Sequence, residues 1–133
     1  MANVSLLRAV YHVLKHRDAQ SSSSNKCLFK RWDDGLRASR PEPQIYWDFI
    51  VSERNLLLKE YRSAAGQGVT VSPPFVELNS KIGATRVIDP GFVEHNYLMN
   101  DGPFKGVDQR TLIGEAIRWW EQQIASLESA GAA

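Results

Sequence analysis

Ile45, Tyr46, Phe49, Ile50, Leu56, Leu57 and Leu58 lie between two prolines and a pair of glycines. With Trp47, Val51 and Tyr61 they spread, at 100° per residue, over well past half of a helix circumference. A helix that apolar has to be surrounded, so the pattern predicts a central helix over residues 43–65 of a small bundle. Pro43 suits its first turn, and Gly66 and Gly68 end it. On the same wheel Arg54 projects between Trp47, Ile50, Leu58 and Tyr61, which puts a guanidinium on an apolar face. Unpaired burial of that charge is costly, so a carboxylate such as Asp33, Asp34 or Glu115 is expected beside it.

The remaining elements follow from periodicity. Leu6, Leu7, Val10, Tyr11, Val13 and Leu14 predict a first helix over residues 3–17, with Arg8, Lys15 and His16 on its other side. Asp18-Ala19-Gln20 and the serines at 21–24 break the apolar periodicity and read as a flexible loop, because serine competes with helix by bonding nearby backbone. Leu28, Phe29, Trp32 and Leu36 suit a short second helix over residues 26–39. Residues 69–72, 75–78, 84–88 and 92–98 are strand candidates; Pro73-Pro74 falls between the first two, and Asp89-Pro90-Gly91 gives a turn signal. Ile113, Ile117, Trp120, Ile124 and Leu127, at spacings of four, three, four and three, predict a final helix capped by Asp108 or Thr111. If Trp120 anchors the core, Trp119 points to the flank, where the hairpin residues Phe92, Tyr97 and Phe104 are expected to cover it. The expected fold is a single mainly helical α+β domain over residues 1–133. Its three- to four-helix bundle-like core carries a small antiparallel hairpin or meander before the C-terminal helix.

Composition narrows the classes. Lys and Arg number 16 against 15 Asp and Glu, so no overall field draws the chain to nucleic acid or an anionic membrane. Cys27 is the only cysteine, which leaves no intrachain disulfide and no four-cysteine zinc site. No apolar run reaches the roughly 20 residues of a membrane span, and residues 4–14 are interrupted by Arg8 and His12, unlike a signal peptide. A cytoplasmic protein is expected, with no membrane contact. His12 and His16 are one turn apart but lack a spaced Asp, Glu or Cys, so no metal site is assigned. His95 is given no role. Ser72 and Ser80 have no nucleophile elbow around them, and no strand, glycine-rich turn and helix follow in the order that cradles a phosphate. No cofactor and no catalytic residue is assigned.

Arg54-Asn55, then apolar residues and Lys59-Glu60-Tyr61, resemble the Arg-Asn…His helix signature of HEPN domains. These are small helical proteins, many of them metal-independent ribonucleases. The resemblance implies that Arg54 and Asn55 act on an RNA backbone at a dimer interface. Lys59 stands where that family has histidine. A lysine protonated at pH 7 can hold a phosphate but is a poor base. More broadly, Leu7-Arg8-Ala9-Val10, Trp32, Arg54-Asn55 and Trp119-Trp120-Glu121 are similar in order to uncharacterised bacterial proteins of this size, which implies a bacterial origin and the same helix order.

Three functional readings result. The first is a small non-enzymatic interaction module that self-associates, as a homo-dimer, with Trp119, Trp47 or the hairpin edge at the contact. The second is a degenerate HEPN-like domain that binds or cleaves RNA through Arg54, Asn55 and Lys59. The third is a small-ligand binder whose pocket, between hairpin and helices, is lined by Trp47, Tyr61, Phe92 and Trp119.

Overall fold

Val4, Leu7 and Tyr11, spaced three and four apart, form the buried stripe of the first helix. In the computed structural model, which describes residues 2–60, 63–79, 81 and 83–132, that helix is α1 (Ala2–Val13), continued by a π-helical turn over Leu14–Asp18. The outer members of the expected stripe, Leu6 and Val13, face solvent. The connection is shorter than expected: it spans residues 19–22, and only Ser21 and Ser22 of the serine run belong to it. Ser22 accepts a hydrogen bond from the Asn25 backbone N–H at 3.1 Å, so it caps α2 (Ser23–Ala38) and the next serines make its first turn. The property that makes serine poor inside a helix makes it good at a helix start.

The long apolar helix is present in two geometries, a π-helical segment, Ile45–Val51, followed by α3, Ser52–Glu60. Tyr46, Phe49 and Ile50 on the π-helical segment are, with Leu112 and Ala116 of the last helix, the most deeply buried residues of the core. Beyond α3 the chain is already in a strand at Ala65, shorter than the expected reach of the helix.

Asp108 caps α4 (Gln109–Ala132), its Oδ1 accepting from the Arg110 backbone N–H at 2.9 Å. The buried line of α4 is Leu112, Ala116 and Trp120; it keeps Trp120 of the expected stripe, but Leu112 and Ala116 replace Ile113, which is partly buried, and Ile117, which is 46% exposed.

Between α3 and α4 lie β1 (Ala65–Ser72), β2 (Phe75–Asn79), β3 (Ala84–Asp89) and β4 (Phe92–Met99). β1 pairs antiparallel with β4, and β2 with β3, so the four strands form one nested hairpin. Ser72 opposes Phe92 and Phe75 opposes Asp89, so the register runs straight through Pro73-Pro74 on one leg and Pro90-Gly91 on the other. Gly91 is at φ +74°, and a Cβ there would lie 2.3 Å from the Ser72 carbonyl oxygen; only glycine fits this junction. At 3.3 Å per residue the ribbon is about 50 Å long.

One buried charge fixes its base. Glu53 is 2% exposed. Its carboxylate accepts from Ser63 Oγ at 2.9 Å, the Ala64 N–H at 3.0 Å and Gln109 Nε2 at 3.0 Å. Gln109 also donates to Ser63 Oγ at 2.9 Å, so α3, the approach to β1 and the first residue of α4 meet at this group. Removing the carboxylate strands three donors, and hydrogen bonds to a charged group are worth ~1.5–3 kcal/mol each. Glu53→Ala is therefore expected to lower the unfolding free energy by about 2–4 kcal/mol in urea titrations. A loss below about 1 kcal/mol would show that the network contributes little.

Candidate functional site

Arg54 and Asn55 are half-buried on α3 and Lys59 is exposed. The carboxylate expected beside Arg54 is absent among the described residues. Asp33 is instead engaged by the Tyr11 hydroxyl at 3.0 Å and Arg37 Nε at 3.0 Å. The π-helical segment explains the displacement, because its i→i+5 bonds turn the chain less per residue than the 100° assumed for the wheel. Glu53, four residues from Phe49 and three from Ile50, takes the inward position. The guanidinium among aromatic rings belongs to Arg8, four residues from Val4 and three from Tyr11. It lies 4.3 Å from the Tyr11 ring centroid and donates to the Tyr46 hydroxyl. Its spacing within the buried stripe was the available signal, although the sequence reading assigned Arg8 to the outer side. Burial pushes the Tyr46 phenol up to about 12, against the opposing pull of the Arg8 charge.

A cationic face lies beside Arg8. The exposed His12 and His16 rings stack 6.2 Å apart. Slight burial, then the charges of Arg8, Arg54, His16 and Lys15, hold the His12 imidazole below its ordinary value. These groups bring α1 and α3 together into one patch. Among the described residues no three His, Cys, Asp or Glu side chains are placed to hold a metal ion.

Of the four aromatic residues expected to line a ligand pocket, the three described ones, Trp47, Phe92 and Trp119, do not converge. Trp47 and Trp119 flank Tyr46, with ring centroids at 4.9 Å and 5.0 Å, and belong to the partly buried shell of the core. Phe92 is 54% exposed on β4 and joins no ring contact among the described residues, while Tyr61 lies outside the described residues. Nor, among the described residues, does the hairpin cover Trp119. Phe104 packs on Phe49, and Tyr97 lies under the Arg110 guanidinium. An open cavity of about 470 Å³ lies elsewhere, between the ends of α1, α2 and α4, with Leu14, Leu28, Phe29, Ile124 and Leu127 on its walls.

The most unusual surface is the ribbon itself. Every described side chain of β2 and β3 is exposed, Leu78 at 76%. On β1 and β4, Val69, Val71, Phe92 and Val93 are more than half exposed. Among the described residues helix contact is concentrated at the base, where Met99 is buried and β4 meets α4. Alternating apolar residues predict a strand equally well whether or not a face is covered, so the pattern alone did not reveal that this one stands free.

The two edges differ. Arg110 donates to the His95 carbonyl at 3.0 Å, the Tyr97 N–H donates to Asp108 at 3.3 Å, and the Met99 N–H donates to the Val107 carbonyl at 2.9 Å. These contacts close the outer edge of β4 near the base. The outward groups of Gln67, Val69 and Val71 on β1 have no such cover among the described residues.

No helix among the described residues is long and apolar enough to cross a membrane. No protein-family model matches the chain, and no curated protein or solved structure is significantly similar to it.

The Tyr46 environment gives a pH signature. The unfolded phenol ionises near its ordinary value of 10.0 and the folded one near 12, so stability present below about pH 10 is expected to fall through that window. Urea midpoints between pH 8 and 12 should fall less steeply for Tyr46→Phe than for the parent chain; equal slopes would show that the buried phenol is not titrating.

Proposed function

We infer that this chain is a non-enzymatic protein-interaction module and that the β-ribbon is its contact element. One observation carries the reading. An extended arm bears large apolar side chains on both faces and, among the described residues, rests on the helices mainly at its base. An isolated two-stranded ribbon is marginal in water, and an exposed apolar stretch of this kind is a liability unless something binds it. Residues 65–99 hold Glu77, Asp89 and Glu94 against Lys81 and Arg86, a balance unsuited to following a phosphate backbone and suited to a protein surface.

The test uses the outer half of the arm. Val76 opposes Val87, with Leu78 on the same face two residues along. Replacing Val76, Leu78 and Val87 together by Thr is expected to leave the melting temperature within about 2 °C of the parent and to lower hydrophobic-dye binding. If the variant loses as much stability as Phe49→Ala, about 3–5 kcal/mol, the arm is packed on its own body and the reading fails.

A second reading rests on Arg54, which has no carboxylate partner among the described residues and lies near His12. Such a cationic face suits an anion such as an RNA phosphate, the class implied by the Arg54-Asn55 resemblance. A phosphate bound there would offset the neighbouring positive charges, so the NMR-titrated pKa of His12 should rise with added phosphate or short RNA. An unchanged value removes this reading.

A further inference from the structure

We propose that the partner of the ribbon is a second copy of this chain, joined through the outer edge of β1, antiparallel, about a twofold axis at Val69. The proposal rests on reading the ribbon as the contact element and commits it to one occupant.

The hydrogen-bond directions select the edge. The His95 carbonyl and Tyr97 N–H point away from β1, toward Arg110 and Asp108, so His95 and Tyr97 sit at positions that do not bond across the ladder. Their register partners, Val69 and Gln67, therefore also turn their backbone groups outward, as does Val71 two residues on. The chain covers one edge of the ribbon with its own Asp108 and Arg110 and leaves the other available for pairing.

The sequence of β1 suits pairing with itself. Ala65–Ser72 contains no charged residue and no proline, the two devices that usually block an edge. Antiparallel pairing about Val69 sets Val69 against its own copy and Gln67 against Val71, so no like charges meet along the strand. Only outward-facing residues can exchange ladder hydrogen bonds, which restricts the register to odd positions facing odd positions. The contact is isologous and closes at two copies.

The pairing also extends the exposed apolar face. Val71 opposes Val93, and Val69 is on the same face, so two joined ribbons make one four-stranded sheet with these three valines contributed by each copy. The formal net charge of +1 gives the copies little mutual repulsion. An eight-residue edge is only about 25 Å long, well short of the ~800 Å² per partner of a standard interface. The dimer is therefore reversible and concentration-dependent.

Sedimentation equilibrium from about 1 μM to about 1 mM should show the mass rising from 15.0 kDa toward twice that value. Val69→Pro removes an N–H that does not bond to β4, so it should raise the dimer dissociation constant at least about tenfold while leaving far-UV circular dichroism unchanged. Val69→Lys, which puts like charges on the axis, should do the same and serves if the proline disturbs the ladder. Directly opposed residues at such a position sit about 5.5 Å apart at Cα, within disulfide reach. In a Cys27→Ser background, Val69→Cys should therefore cross-link with glutathione disulfide much faster than Leu78→Cys on β2. Equal cross-linking, or a dimer unaffected by both Val69 variants, places the contact elsewhere and overturns the proposal. A monomer at every concentration overturns the second copy as partner; the ribbon as contact element is judged separately by the Val76, Leu78 and Val87 substitutions.

Discussion

The fold depends on a carboxylate placed where a carboxylate is normally excluded. Glu53 is tolerated in the interior because three donors meet it, Ser63 and Ala64 on the approach to β1 and Gln109 at the start of α4. The helices pack on one another through a shared apolar core centred on Tyr46, Phe49, Ile50, Leu112 and Trp120. The ribbon could not be held that way, since it contributes little to the core beyond Ala65 and Met99. Its direction is set at the base, by this hydrogen-bonded cluster and by the contacts of β4 with Asp108 and Arg110. Apolar packing thus fixes the body and polar geometry fixes the arm.

Within the arm, side-chain shape does what a core would do elsewhere. Asn96 lies so close over Gly68 that a Cβ there would come within 2.3 Å of its Oδ1, and Gly91 lets one leg pass tightly against Ser72 and Pro73-Pro74. These close approaches hold the legs in register across the interruption by the prolines. Beyond it β2 and β3 are joined by cross-strand pairs such as Val76 with Val87 and Glu77 with Arg86.

Much of this was legible in the sequence. The strands were found within a few residues of their ends, the Asp108 cap was one of two named, and the mainly helical α+β class with a strand insertion before the last helix is the observed one. Two things were not. The wheel assumed one twist throughout the central helix, and the π-helical segment breaks that assumption; Arg54 consequently received the attention due to Glu53. Spacing also cannot say whether an apolar strand face will find a cover. The hairpin was expected to close over Trp119, yet Trp119 is taken up by Tyr46 and Trp120 within the helices. Arg8 was the recoverable miss, since its distances from Val4 and Tyr11 already put it within the buried stripe.

The backbone N–H of Asn100 donates to the Ala64 carbonyl at 2.8 Å, so the arm leaves and rejoins the body at almost the same point. An insertion whose two ends adjoin can be lengthened, shortened or exchanged without altering the path of the helices on either side. The arm can therefore vary in length and sequence while the helical body stays the same. A short turn in place of residues 66–98 would leave α3 and α4 still within reach of each other.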